Sequence, residues 1–506
     1  MKLFLPQIVR SLPGATTKEI GKTRAGHPLY AFNFRHPSVP SQRKLCAYGY
    51  PHPPEALGAS AIYELALRLG RGQWPRGLEH WSFSFVFCAS YDQAQHQKRA
   101  ITAKKLSEMA YHIVPFSRVH DIDTQFPGCL SERSRRSRGH QDIPPESMAL
   151  ARWLVEEQPD IVVSLHSDDI TGAYIYAWLA EDPDDDIEIY RNVLNRTLQA
   201  AQNAGDQLQS ALPGDLTAAA VGMRVDNHWA ACADAPVYEK HPAVDVTTFV
   251  ANHLPQAWFL VPETGVFQLS GCDDMTPSRV KVPVRLLAGG LIAEDRESGL
   301  RWSPALIYSL AEEEQTSRSA RRRAPNGNDQ DYGLDQIDRR KDVLLTPPAG
   351  LYVARSIQTC LKIFAKFDDL QESIPMVADV PGADPFLALW RSERKDLERG
   401  GQRFVETLAV VAQEIGTHSA TRGEERNHEA LVFGHYSPIF AHMIRALRRY
   451  VRWVGREGLE LAEELSERLH WLDRSAGAPK PIAAAAGSII AMIEEFMRCR
   501  EDFDCL

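Results

Sequence analysis

The stretch AYGYPHPPEALG, residues 47–58, joins a predicted strand to a predicted helix and carries two candidate metal ligands. Residues 44–48 are a short, mostly apolar run that indicates a strand, and residues 59–69 place apolar side chains at helical spacing. His52 and Glu55 therefore lie on a loop that regular elements hold at both ends. An imidazole nitrogen and a carboxylate oxygen are good zinc ligands, but H-x-x-E is short enough to occur by chance in a surface turn. Other parts of the chain have to decide between these two interpretations.

Two further apolar runs end at residues capable of metal or acid–base chemistry. Residues 160–166, DIVVSLH, are typical of a buried parallel strand that ends at His166, and residues 258–262 form a second buried strand followed by Glu263. Such strands, alternating with helices, indicate an α/β fold with a mainly parallel sheet. Sites in these sheets form at the carboxyl ends of strands, and His52, His166 and Glu263 all fall there.

Each of these residues also has a plainer interpretation. A lone His at a strand end is more often structural, and a Glu at such a place can simply cap a helix or form a salt bridge. The chemical alternative for Glu263 is a general base, which takes a proton from a zinc-bound water and hands it to a leaving nitrogen. The stretch DIDTQFPG, residues 121–128, adds carboxylates that could hold a ligand imidazole in place.

Several other elements follow from periodicity and turn residues. The sequence predicts two hairpin strands within 15–35 (the second at 29–34), a strand at 81–89, helix or loop at 91–111, and helices at 145–157 and 187–212.

The composition is that of an ordinary globular protein of 506 residues with 44% hydrophobic and 24% charged residues. A net charge of −9 argues against a general nucleic-acid binder. No apolar run approaches the roughly 20 residues of a membrane helix, and the N-terminal residues lack a signal-peptide cleavage site. The eight cysteines show no C-x-x-C spacing, which is typical of a reducing compartment. We therefore expect a cytoplasmic protein without a nucleic-acid or membrane partner, and we leave its oligomeric state open.

The composition changes after residue 310. Residues 311–345 are polar, charged and without apolar periodicity, which predicts a linker or loop between a domain at 1–310 and a helical domain at 346–506. The helical segments are expected near 350–372, 384–415, 426–454, 458–473 and 481–503. No chemistry-bearing motif falls in this region.

The order of these motifs resembles that of the zinc carboxypeptidase family, including its desuccinylase and aspartoacylase relatives, over residues 15–295. The resemblance implies an α/β fold with a mixed, mainly parallel central sheet flanked by helices. It implies a zinc ion (Zn2+) held by His52, Glu55 and His166, with Glu263 activating the zinc-bound water for attack on an amide carbonyl. It also implies that Asp121 orients the first His ligand.

The chain departs from the family where the substrate is held. The family pattern D-x-N-R-x-F carries an Arg that grips the free carboxylate of the substrate, a task suited to a planar bidentate donor. The chain has Asp123 and Thr124 in place of that Asn-Arg pair. Arg135 and Arg138 belong to an Arg-rich run that either supplies the missing charge or is simply solvated. Arg118 is a candidate, by position only, for the Arg that stabilises the oxyanion in the family.

We therefore expect a zinc-dependent hydrolase that cleaves an amide bond of a peptide or an acylated amino acid. One alternative is a deacylase of the desuccinylase or aspartoacylase type. Another is a zinc-retaining binding or scaffold protein whose function resides in the helical half, although such a protein would have no need of a general base at Glu263.

Overall fold

The computed structural model describes residues 12, 14–52, 55–113, 122–123, 125–127, 143–170, 173–179, 187–206, 243–244, 246–267, 363, 366–367, 370, 422–476 and 479–504. These residues form two compact units. The first unit draws on Met1–Lys104, His112–Gln268 and Ala478–Leu506, and the second on Lys105–Tyr111 and Leu269–Gly477.

The first unit is built on a seven-stranded sheet. Its strands are β1 (Thr16–Lys22), β2 (Pro28–Phe34), β3 (Arg43–Gly49), β4 (Trp81–Val86), β6 (Ile161–Leu165), β8 (Tyr174–Trp178) and β10 (Trp258–Glu263), in the spatial order β1-β2-β4-β3-β6-β10-β8. Two smaller sheets pair β5 (Phe126–Pro127) with β9 (Ala243–Val244), and β7 (Asp168–Ile170) with β11 (Gly265–Phe267).

The mixed character of the central sheet is confirmed, but the expectation of a mainly parallel sheet is wrong. The four central strands β4, β3, β6 and β10 run parallel, whereas the pairings β1–β2, β2–β4 and β8–β10 are antiparallel. Continuous apolar runs are typical of parallel strands, and the runs at 160–166 and 258–262 do lie in parallel strands, but the outer strands β1, β2 and β8 add three antiparallel pairings. The tight turn between β1 and β2, with Gly26 at φ 85°, makes that pair an antiparallel hairpin.

The helices of the first unit cover both faces of the sheet. They are α1 (Ala56–Gly70), α2 (Tyr91–His96), α3 (Lys98–Ile101), α5 (Pro145–Glu157), α6 (Ile187–Asn203), α7 (Val246–His253) and α10 (Ile482–Asp504). One buried core joins α1, α6 and α10 to the sheet, and a second core on the other face joins α5 and α7. With both faces covered, β4, β6 and β10 are buried at every position.

The strongest periodic segments were predicted correctly. The strands expected at 44–48, 160–166 and 258–262 are confirmed, the strand expected at 81–89 ends at Val86, and the helix at 145–157 is confirmed. The helix expected from residue 187 runs to Asn203, and residues 207–212 lie outside the described part of the chain. At 91–111, where helix or loop was open, the structure has short helices.

The last helix, α10, belongs to the core of the first unit. Its Phe496 ring is fully buried and lies 5.4 Å from the ring of Trp258 on β10. Arg196 on α6 forms ion pairs with Glu495 at 2.8 Å and with Asp502 at 2.6 Å. Burial of each large apolar side chain contributes about 1.5–3 kcal/mol, so this helix stabilises the sheet it covers. Residues 311–345 lie outside the described part, and the domain boundaries predicted there stay a prediction.

The second unit contains α4 (Leu106–His112), α8 (Arg422–Arg449) and α9 (Val451–Ala476). Ser107 donates two hydrogen bonds to the carboxylate of Asp473, from its backbone N–H at 2.8 Å and from its hydroxyl at 2.6 Å. The guanidinium of Arg445 lies 5.1 Å from the ring centre of Tyr111. None of the helices in the described residues combines the length and apolar character needed to cross a membrane.

Candidate metal centre

The loop between β3 and α1 is held in place by close backbone approaches. Gly49 ends β3, and a Cβ there would lie 2.7 Å from the backbone nitrogen of Ala59. A Cβ on Gly58 would likewise clash with the backbone of Leu165 at the end of β6. Only glycine therefore lets α1 pack this closely, and the packing brings His52 and Glu55 to the end of β6.

Tyr50 turns the chain from β3 into this loop. It has a φ of 61°, in the left-handed region that bulky residues rarely adopt, and its side chain is buried. The backbone N–H of Ser90, just after β4, donates to the carbonyl of Tyr50 at 3.0 Å. Such backbone strain persists only where surrounding contacts hold it, and it is common at functional sites.

Glu55 bridges two histidines. Its Oε1 lies 3.1 Å from His52 Nδ1, and its Oε2 lies 3.0 Å from His166 Nδ1. The centres of the two imidazole rings are 4.8 Å apart. Glu55 and His166 are buried, and His52 has only 14% of its side chain exposed. The structure thus brings together His52, Glu55 and His166, the three residues predicted as ligands; we call them the candidate metal centre.

A second carboxylate fixes the far side of the His166 ring. Asp123 Oδ2 lies 2.7 Å from His166 Nε2 and accepts a hydrogen bond from Ser164 Oγ at 2.7 Å. Its Oδ1 accepts a hydrogen bond from the Tyr48 hydroxyl at 2.8 Å. Asp123 therefore orients His166 so that Nδ1 faces Glu55.

The sequence predicted this arrangement only in part. The stretch 121–128 was expected to supply carboxylates that hold a ligand imidazole, without Asp123 being singled out, and Asp121, which was expected to orient the first His ligand, lies outside the described residues. The available signal was a polar residue, Ser164, inside the apolar run of β6. Ser164 is the register partner of Tyr48 on β3, so the two hydroxyls come together below the ring of His166.

In the candidate metal centre, the contacts between opposite charges shift the pKa values of Glu55 and His166 more strongly than burial does. Burial raises the pKa of Glu55, but the adjacent His166 and His52 outweigh it and hold that pKa well below the usual value of a glutamate. Burial lowers the pKa of His166, while Glu55 and the bond to Asp123 bring it well above the usual value of a histidine. The cluster therefore keeps a carboxylate ionised in contact with positive charge.

Two sets of donors in the described residues could hold a metal ion. Ligand atoms of His52, Asp123 and His166 all lie within 4.8 Å of one another. The alternative set replaces Asp123 by Glu55, whose oxygens face the Nδ1 atoms of both imidazoles. Both oxygens of Asp123 already accept hydrogen bonds from Tyr48 and Ser164, which suits an orienting residue better than a ligand.

Glu263 lies beside the centre. It ends β10, which pairs in parallel with β6, so that the ends of the two strands meet. Its Oε1 is 3.9 Å from His166 Nδ1, and the residue is buried with 8% exposed. The carboxylate is therefore next to the converging donors, beyond the distance of a direct hydrogen bond.

Ser167, which follows His166 in the chain, has a buried polar atom that the described residues leave unsatisfied. Ser167 Oγ, adjacent to His166 in the chain, is buried and has no hydrogen-bond partner among the described residues. Buried polar groups are nearly always paired with protein, water or ligand. The predicted substrate-binding residues Arg118, Arg135 and Arg138 lie outside the described part of the chain.

No protein-family model matches the sequence, and no curated protein sequence matches it. Among solved structures, the chain is similar to a metallo-carboxypeptidase from Burkholderia cenocepacia, with 14% identity and a TM-score of 0.32 over 52% of this chain and 58% of that one. It is similar to the carboxypeptidase A from Helicoverpa armigera, with 11% identity and a TM-score of 0.34 over 52% of this chain and 63% of that one. The chain thus spans less than two thirds of the length of these structures.

Proposed function

We propose that this protein is a zinc-dependent hydrolase that cleaves the amide bond of a peptide or an acylated amino acid. The observation that carries the proposal is the buried bridge of Glu55 between the Nδ1 atoms of His52 and His166, with the carboxylate of Glu263 beside it. The bridge supplies metal ligands, and Glu263 supplies a base. Neither feature alone would distinguish an enzyme from a structural ion cluster.

The residues present fit a zinc ion in number, type and spacing. Two His and one Glu are a known donor set for catalytic zinc, which leaves a fourth position for water or substrate. Atoms bound to a tetrahedral zinc at 2.0–2.2 Å lie roughly 3.3–3.6 Å apart. The observed separations of 3.1 Å and 3.0 Å between the carboxylate oxygens and the two imidazole nitrogens are a few tenths of an ångström shorter, so the side chains would have to separate only slightly to admit the ion. When bound, zinc supplies Lewis acidity, which polarises a carbonyl and acidifies a water.

Three further roles in the reaction fall to side chains of this protein: orienting a ligand, transferring a proton and excluding water. Asp123 holds the proton on His166 Nε2, which keeps the Nδ1 lone pair directed at the ligand position. Glu263 takes the proton from the attacking water at a carboxylate oxygen and returns it to the leaving nitrogen of the amide. The burial of Glu55, His166 and Glu263 excludes bulk water, which strengthens the charge interactions among them.

The test combines metal analysis with hydrolysis by the full-length protein. Zinc content is measured by mass spectrometry, and activity on a set of N-benzoyl dipeptides and N-acyl amino acids is followed by amine release. We expect about one zinc per chain. Glu263→Gln should retain the zinc and lose about 10²–10⁴-fold in kcat, because the base is gone and the ligands are intact.

A matched control is Glu146→Gln, since Glu146 is also buried and its Oε1 accepts a hydrogen bond from the backbone N–H of Arg24, away from the centre. It should retain both zinc and activity. Absence of zinc from metal-replete protein would contradict the proposal, and zinc without hydrolysis of any substrate would leave a binding protein.

A further inference from the structure

A segment from the far end of the chain lies against the turn that carries Glu263. Pro479 forms a β-bridge with Phe267 at the end of β11, and the backbone N–H of Lys480 donates to the carbonyl of Val266 at 2.8 Å. The segment thus extends the short strand that follows Glu263. More than two hundred residues separate it from that strand in the sequence.

Lys480 closes a buried triangle of polar groups at this place. Its ammonium donates to Asp206 Oδ1 in a short ion pair and to Thr264 Oγ1 at 3.0 Å. Thr264 Oγ1 in turn donates to Asp206 Oδ2 at 2.5 Å. The side chains of Lys480 and Asp206 are 8% and 2% exposed, and Thr264 is fully buried. We call these three residues the Lys480 clamp.

The clamp acts on the residue next to the base. Thr264 directly follows Glu263, at the point where β10 ends and β11 begins. A buried ion pair is favourable only when its geometry is good and its remaining hydrogen bonds are made, so this closed triangle tolerates little displacement. Any movement of Thr264 would move the backbone from which the Glu263 side chain extends.

We propose that Lys480 is a positioning residue for Glu263: through Asp206 and Thr264 it holds the Glu263 carboxylate at its distance from the candidate metal centre. The inference rests on the proposed role of Glu263 as base. Lys480 is itself held by α10, which docks on the sheet through its apolar face. The Glu263 carboxylate is then in place only when residues 479–504 have packed on the sheet.

The first experiment removes the cation, in Lys480→Met, and compares amide hydrogen exchange with that of the full-length wild type. We expect exchange at residues 264–267 to become at least tenfold faster, while β6 keeps its protection. In the hydrolysis assay, kcat should fall at least tenfold with KM changed less than twofold and the zinc content unchanged, because substrate binding and metal ligands are untouched.

Matched variants separate positioning from general stability. Thr264→Val removes only the hydroxyl and should behave like Lys480→Met, whereas Thr264→Ser keeps it and should retain most of the wild-type kcat. Arg196→Met removes another cation that anchors α10, and it should leave kcat and the exchange at 264–267 unchanged. Equal losses in Arg196→Met and Lys480→Met would overturn the inference.

Lys480→Met leaves the Asp206 carboxylate buried without its cation and can fail to fold for that reason. The double variant Lys480→Met/Asp206→Leu removes both charges and should fold, with the same fast exchange at 264–267 and the same loss of kcat. Wild-type exchange and wild-type kcat in this double variant would overturn the positioning role. If the wild type hydrolyses no substrate, the proposed function fails. The exchange measurement still decides whether the Lys480 clamp holds residues 264–267 in place.

Discussion

The candidate metal centre and the Lys480 clamp are both buried clusters of charged groups, but only one of them is closed. In the clamp, one ammonium, one hydroxyl and one carboxylate satisfy one another, and the two charges cancel. In the centre, Glu55 faces two imidazole nitrogens, and Ser167 Oγ beside them has no partner among the described residues. The imidazoles of the centre can exchange a proton for a metal ion, whereas the ammonium of the clamp can only donate hydrogen bonds. This contrast distinguishes a candidate metal site from a structural ion pair.

The largest expected effect comes from removing the charge at the centre. Glu55→Gln should weaken zinc binding by more than the roughly 10–100-fold that is typical of losing an outer partner, because an ionised ligand is lost. Asp206→Ala in the clamp should keep the zinc and instead lower the free energy of unfolding by about 3–5 kcal/mol, since Lys480 is left buried and uncompensated. Zinc titration and denaturant unfolding of both variants measure the two effects. Loss of zinc in Asp206→Ala but not in Glu55→Gln would reverse our assignment.

Much of the site could be predicted from the sequence because its residues follow strands with strong local signals. His52, His166 and Glu263 come after apolar runs, and parallel strands bring their carboxyl ends together. The sequence did not single out Asp123 among the carboxylates of 121–128, because its bonds depend on the register that pairs Tyr48 with Ser164. Register is a long-range property that a single strand does not encode.

In the fold, too, features with a local sequence signal could be predicted and features that depend on long-range packing could not. The helix at 145–157 was predicted to the residue and the strands within 15–35 were predicted as a hairpin, whereas the antiparallel pairing of β8 with β10 was not predicted, because strand pairing is a long-range property. Lys480 carried no local signal at all. Its importance comes from the packing of α10 on the sheet, which brings it next to Thr264 across a large separation in sequence.

A smaller effect is expected at the residue that orients His166. Asp123→Asn keeps the shape but weakens the hold on the Nε2 proton, so zinc affinity or kcat should fall by about 10–100-fold. Ser164→Ala removes a hydroxyl from the same network and should cost less than Asp123→Asn. Metal titration and kinetics of both variants give the order, and an Asp123→Asn protein with wild-type zinc affinity and kcat would show that Asp123 does not act on the centre.

The smallest effect concerns a third ionic cluster, which we expect to be purely structural. Asp92 accepts hydrogen bonds at 2.8 Å from the Thr23 hydroxyl and the Ala25 N–H, and lies 2.8 Å from His27 Nδ1. Burial raises the pKa of Asp92, but these hydrogen bonds, with His27 also contributing its charge, lower it below the usual value. The stability it adds is therefore present above the unfolded pKa of about 3.9 and is lost as the pH falls toward the folded pKa.

Asp92→Asn should consequently lower the free energy of unfolding at pH 7 by about 1–2 kcal/mol. The difference from wild type should shrink as the pH falls below about 4. Urea unfolding across this pH range measures it, and zinc content should be unaffected. A destabilisation that does not vary with pH would show that the charge of Asp92 is not what stabilises the hairpin.

The central claim is that zinc is held by His52, Glu55 and His166, and anomalous diffraction at the zinc edge from crystals of the metal-replete protein tests it most directly. We predict one peak about 2.0–2.2 Å from His52 Nδ1, His166 Nδ1 and a Glu55 oxygen, with Asp123 still bonded to His166 Nε2. A peak coordinated by Asp123 and the Nε2 atom of His166, or no peak at this loop, would contradict the claim.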